Sequence, residues 1–166
     1  MKADRMTYLP RLPQAVATAC ALGVAVGIFV LTSQSPADTS AQSRFVNDVL
    51  VGLLGGIEGL YDPQTGEWLG TDIRHWAHTA EFWALGLTVA LSVVLARWRK
   101  GLLSSGGIAL AVCSACSVLD QCHKLLVPAR HFDWLDLCMD ALGYVGAIAT
   151  VIAVAGIVRW RLSKKE

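Results

Sequence analysis

The chain has 166 residues, 54% of them apolar and 16% charged, with a mean hydropathy of +0.50 and a formal net charge of +1. This balance argues against a water-soluble globular domain and, because no polar segment carries a basic stripe, against a nucleic-acid partner. It fits an all-α polytopic membrane protein, read here as one domain over residues 1–166.

Four apolar runs reach the roughly 20 helical residues that a bilayer core requires. They are Pro13 to Leu31, Ile73 to Ala96, Gly101 to Leu119, and Leu135 to Val158. The first follows Lys2, Arg5 and Arg11, as a signal peptide would, but its apolar stretch is long and no A-x-A site follows directly, so it reads as a retained span. Ser33-Gln34-Ser35-Pro36 then opens a polar loop to Ser43. From Phe45 to Leu60, apolar Phe45, Val49, Leu53, Ile57 and Leu60 recur at helical spacing among Arg44, Asn47, Asp48 and Glu58. That pattern predicts an amphipathic helix at the outer membrane surface, acting as a lid. Asp62-Pro63 and Thr65-Gly66 carry turn chemistry before the second span. Arg97 to Lys100 makes spans two and three a hairpin, and Pro128 in the Leu125 to Phe132 loop stops a helix running on from span three. In span four, Gly143 and Ala147, and Gly146 and Thr150, sit four apart, a spacing that allows close helix packing.

Of the 14 Lys and Arg, only Arg44, Arg74, Lys124 and Arg130 fall on the loop side of spans one to four that carries the long connection. The others flank the opposite ends, so the positive-inside rule predicts a bacterial cell-membrane protein with both termini cytoplasmic. The five cysteines (Cys20, Cys113, Cys116, Cys122, Cys138) lie in or beside spans and imply packing, not a disulfide framework; the same holds for Cys113-x-x-Cys116.

Polar residues gather at the extracytoplasmic ends of spans two to four. Arg74, His78 and Glu81 form one helical stripe with His75 beside it. Glu81 therefore needs a partner inside the bundle, with His78 one turn away as the nearest. Asp120 can reach His123 and Lys124, with Gln121 adjacent; Asp133, Asp136 and Asp140 share a face beyond Arg130 and His131. Three chemistries suit this set. One is an ion-pair network that docks the helices. Another is a pocket in which Arg74, Lys124 and Arg130 hold the phosphate or carboxylate head of a membrane lipid or lipid-linked amphiphile. The third is a metal site drawing on His75, His78 and Glu81 with His123 or an Asp, which lacks a recognised ligand spacing; no metal and no cofactor are expected. A transporter path is disfavoured because the charge stops short of the cytoplasmic side.

The run Asp120-Gln-Cys-His123-Lys-Leu-Leu-Val-Pro128-Ala-Arg130-His-Phe-Asp133-Trp-Leu-Asp136, with Asp140, Gly143 and the earlier His78-x-x-Glu81-Phe82, resembles the VanZ-like family of small bacterial membrane proteins. Gln121, Lys124 and Ala129 stand where the commoner family pattern has Glu, Gln and Gly. The resemblance implies a cell-envelope role, with glycopeptide resistance, teicoplanin in particular, as the trait associated with the family's namesake. An amide at 121 removes a possible base or metal ligand, and Lys124 favours an anionic ligand, so binding is the expected function. The alternative is an intramembrane enzyme on lipid-linked phosphates, with Glu81 or Asp120 as base and His78 or His123 as acid.

Overall fold

The computed structural model describes residues 11–98 and 100–164. Lys2, Arg5, Arg99 and Lys165, four of the residues behind the predicted orientation, lie outside them. In order come α1 (Arg11–Thr32), α2 (Pro36–Leu54), a hairpin of β1 (Tyr61–Asp62) and β2 (Glu67–Trp68), α3 (Ile73–Ala96), α4 (Leu102–Lys124) and α5 (Trp134–Ser163). Four of the helices, α1, α3, α4 and α5, are long and apolar enough to cross a membrane, and they fit a multi-pass membrane protein.

Helix α3 is central and packs against α1, α4 and α5. Its buried residues His78, Phe82, Leu85, Val89 and Ala90 recur at three- and four-residue steps, which stacks them on one side of the helix. Phe82, Leu85, Val89 and Ala90 meet Ala109 and Cys113 of α4 and Tyr144, Ile148 and Val151 of α5 in one apolar cluster. The α3–α5 crossing is close enough to exclude side chains. A Cβ on Gly86 would stand 2.7 Å from Tyr144 Cα, and one on Gly143 would collide with the Thr79 carbonyl. The Thr79 hydroxyl donates across the same crossing to Met139 O at 3.2 Å. Of the two small-residue pairs in the sequence, then, Gly143 and Ala147 pack inward, whereas Gly146 faces open space.

Three boundaries differ from the sequence reading. The lid helix begins at Pro36, not Phe45, and stops at Leu54, not Leu60. Ser35 caps it, accepting from Asp38 N at 3.3 Å, with Pro36 in the first turn and the Asp38 carboxylate beside the free N–H groups. Residues after Leu54 turn through Gly55, Gly56 and Gly59 into the hairpin, whose Gly66 takes a positive φ of 76°. Helix α4 runs on to Lys124, five residues past the predicted Leu119, so Asp120, Gln121 and Lys124 are helical and directed inward. Helix α5 runs Trp134–Ser163, beyond the predicted Leu135 to Val158 at both ends.

Helix α2 is inverted relative to a soluble amphipathic helix. Phe45, Val49 and Leu53 point outward, with Leu53 74% exposed, while Thr39, Ser43 and Asn47 on the other side face the bundle. The hairpin fixes this orientation: the Trp68 indole donates to Asn47 Oδ1 at 2.8 Å, and the Trp76 indole of α3 donates to Trp68 O at 2.8 Å.

Candidate functional site

At the α2 end of the bundle, Asp136 sits one turn into α5 and is 2% exposed. The Lys124 ammonium donates to it at 2.8 Å; His75 Nε2, His78 Nε2 and Arg74 Nη2 lie 3.4, 3.6 and 3.8 Å from its oxygens. An ionised carboxylate this buried would cost several kcal/mol unpaired, and four cationic or ionisable groups from two helices supply the pairing. Arg74 also reaches Asp133 at 3.4 Å. Asp133 itself caps α5, accepting from Leu135 N at 2.9 Å.

Deeper in, His78 Nδ1 lies 3.4 Å from Asp140 Oδ1, and Lys124 Nζ lies 3.7 Å from Asp120 Oδ2. Hydroxyls hold the outer carboxylate oxygens: Ser117 donates to Asp140 Oδ2 at 2.8 Å, and Thr32 of α1 donates to Asp120 Oδ1 at 2.5 Å. Gln121 is fully buried, and its Oε1 accepts from Asp133 N at 3.2 Å. It therefore joins α4 to the start of α5.

A cavity of ≈ 540 Å³ opens above this cluster, with α2 as its roof. Its floor and walls carry Arg74, His75, His78, Lys124, Arg130 and Asp136. The roof contributes Thr39, Ser40, Ser43, Arg44 and Asn47. Arg130 latches the roof: Nε donates to Gln34 O at 3.1 Å and Nη2 to the Thr39 hydroxyl. Among the described residues, neither Arg44 nor Arg130 has a carboxylate within ion-pair distance. Burial and the nearby Arg74 charge lower the Arg130 pKa from its ordinary value.

The structure brings together Arg74, His75, His78, Lys124, Arg130, Asp133 and Asp136 on the cavity, and Asp120, Gln121 and Asp140 beneath it. Glu81 faces a second, smaller cavity, and its predicted partner His78 is 4.0 Å away, nearer to Asp140 than to Glu81. His123 is apart from the cluster. It stacks on Phe29 of α1 with ring centroids 4.3 Å apart, and its Nε2 lies 3.0 Å from the Ser33 hydroxyl. The set His75, His78, Glu81 and His123 is therefore not gathered as metal ligands. Two other groups offer donor atoms within 4.8 Å of one another: His75 with Asp133 and Asp136, and His78 with Asp120 and Asp140. The polar face of α2 is the part of the site that the sequence reading missed. Its signal was present in Thr39, Ser43 and Asn47 at four-residue steps.

A family model described as VanZ/LLP1 matches residues 18–157, most of the chain. No curated protein and no solved structure matches it.

Proposed function

The chain belongs to the VanZ/LLP1 family, and from that premise we propose that it is an envelope protein that holds the anionic head of a membrane amphiphile beneath α2. The observation that carries this reading is the pair of guanidiniums, Arg44 from the roof and Arg130 from the wall, that share one cavity without a carboxylate partner among the described residues. Guanidinium groups lining one cavity suit phosphate or carboxylate oxygens, with Arg130 keeping Nη1 beyond its bonds to Gln34 and Thr39. Arg74, already shared between Asp133 and Asp136 at 3.4 and 3.8 Å, completes the polar ring.

The surroundings favour an amphiphile over a free anion. Outside the polar ring lie the exposed apolar residues of α2 and, on α1, Phe29 and Val30, against which a chain can remain in lipid. Arg97, Lys100, Arg159 and Lys164 mark the opposite end of the bundle, with Arg159 4.9 Å over Trp98 and Lys164 4.0 Å over Trp160. Basic residues favour the cytoplasmic interface, which supports an outer-leaflet position for the cavity. Cell-wall lipids with a phosphate head and acylated glycopeptides such as teicoplanin are the two ligand types that meet these requirements.

Binding is measured on detergent-purified protein with short-chain phosphatidylglycerol, phosphatidylcholine and teicoplanin. Phosphatidylglycerol is expected to bind at least about tenfold more tightly than phosphatidylcholine, with the difference lost in the Arg44→Ala/Arg130→Ala protein. Equal binding of the two lipids refutes the headgroup reading. A teicoplanin and vancomycin panel on a susceptible Gram-positive host expressing the same proteins tests the resistance trait. A second reading, turnover of a lipid-linked phosphate, is favoured by His78 standing between Asp136 and Asp140 at 3.6 and 3.4 Å. Phosphate release from a polyprenyl phosphate panel tests it, and no release rejects it.

A further inference from the structure

We infer that His78, Asp120 and Asp140 form a binding site for one divalent transition-metal ion, with zinc the best chemical match. The inference is independent of the headgroup reading. It begins with atoms that have no hydrogen-bond partner: His78 Nδ1, Asp120 Oδ2 and Asp140 Oδ1 are buried and unsatisfied. Their residues are 9%, 7% and 0% exposed, and one donor atom from each lies within 4.8 Å of the others although they come from three different helices. A buried polar atom without a partner is destabilising, so three residues that each hold one in the same cluster call for an occupant.

The spacing suits a metal better than a proton. Two ligands about 2.0–2.1 Å from a tetrahedral ion stand roughly 3.4 Å apart. His78 Nδ1 and Asp140 Oδ1 are 3.4 Å apart, and they do not form a hydrogen bond. Glu81 Oε2, 4.0 Å from His78 Nδ1, is a further carboxylate oxygen beside the group. One nitrogen with two or three carboxylate oxygens is a donor set that zinc accepts.

Each ligand is also held from behind. Asp140 uses Oδ2 to accept from Ser117 at 2.8 Å, and Asp120 uses Oδ1 to accept from Thr32 at 2.5 Å. The other ring nitrogen of His78, Nε2, lies 3.4 Å from the Lys124 ammonium and 3.6 Å from Asp136 Oδ2, contacts that hold the ring from behind. The charge balance points the same way. Asp120, Asp136 and Asp140 are buried carboxylates, and Lys124 is the buried ammonium among them, with its shortest contact at 2.8 Å to Asp136. A dication between Asp120 and Asp140 offsets the remainder. The neighbouring group of His75, Asp133 and Asp136 is less buried, and Arg74 lies 3.4 and 3.8 Å from its two carboxylates, against the single 3.7 Å contact of Lys124 with Asp120.

The full chain in detergent, stripped with EDTA and dialysed, is titrated with zinc chloride, with bound metal counted by mass spectrometry. Cobalt(II) is added to a parallel sample and its visible absorption recorded. One equivalent of zinc and the intense cobalt bands of a tetrahedral nitrogen–oxygen site are expected. Asp140→Asn and Asp120→Asn should each weaken zinc by more than about 100-fold, and Ser117→Ala by about tenfold. The cobalt spectrum of the unsubstituted chain decides the matter even if a variant fails to fold. No saturable zinc, no tetrahedral cobalt bands, or binding lost in His75→Ala but kept in Asp140→Asn overturns the assignment.

Discussion

Replacing Asp136 by Asn and Lys124 by Met tests whether Asp136 is the hub of the polar cluster. Lys124 and Asp136 are 3% and 2% exposed, and they meet at 2.8 Å. Removing one partner of a buried ion pair costs about 3–5 kcal/mol, because the other charge is left without compensation. The two removals are not equivalent. Once Lys124 is gone, Asp136 keeps His75 at 3.4 Å and Arg74 at 3.8 Å, so Lys124→Met should fall near the lower limit, about 3 kcal/mol. Once Asp136 is gone, Lys124 keeps only Asp120 at 3.7 Å, while His75 and Arg74 lose their closest or second carboxylate. Asp136→Asn preserves shape and opens no cavity, yet should approach about 5 kcal/mol. The double variant should cost less than the sum of the two singles by more than about 1 kcal/mol. Unfolding of the detergent-solubilised protein, followed by circular dichroism against an SDS titration, gives the three values. If Asp136→Asn costs less than Lys124→Met, or the singles simply add, the hub reasoning fails.

Alanine at two glycines of α5 should act in opposite directions. Gly143→Ala forces a methyl into the Thr79 carbonyl and should cost about 1–3 kcal/mol, whereas Gly146→Ala enters open space and should gain up to about 1 kcal/mol in helix propensity; thermal midpoints in detergent compare them. Ala129 holds a left-handed φ of 62°, a conformation that costs a non-glycine residue about 1–2 kcal/mol. Ala129→Gly, which restores the residue of the commoner family pattern, should stabilise by about 0.5–1 kcal/mol after glycine's extra chain entropy is counted, and a lowered thermal midpoint would contradict this. Asn47→Ala leaves the indole N–H of Trp68, a residue 5% exposed, without its acceptor. It should cost about 1–3 kcal/mol and raise the hydrogen exchange of α2 above that of α3; unchanged exchange would mean that the hairpin does not secure the roof.

The spans were legible because four long apolar runs leave few other arrangements, and the Arg74, His78 and Asp136, Asp140 stripes were legible from helical spacing. The start of α2 was not. Ser35-Pro36 followed by Thr, Ser and Gln reads as a turn, yet the same residues make an N-cap, a proline-compatible first turn and a polar helix face when a cavity lies below them. His123 was misplaced for a different reason. Asp120 has both His123 and Lys124 within one turn, and only the packing of α1 decides that the lysine turns inward to Asp136 while the imidazole turns to Phe29. Side-chain reach along one helix is visible in a sequence; the choice between two neighbouring helices is not.

The outward apolar and inward polar faces of α2 restrict how that helix can move in a bilayer. Rolling it by half a turn would drive Thr39, Ser40, Ser43, Arg44 and Asn47 into hydrocarbon and bring Phe45, Val49 and Leu53 into the polar cleft. Both halves of that exchange are uphill, so roll is a forbidden coordinate. Swinging about the glycines that follow Leu54, with Arg130 releasing Thr39 at the far end, keeps each face in its own solvent. Lifting the roof about those glycines has to break the Arg130 bonds to Gln34 and Thr39 and the bond of the Trp68 indole to Asn47.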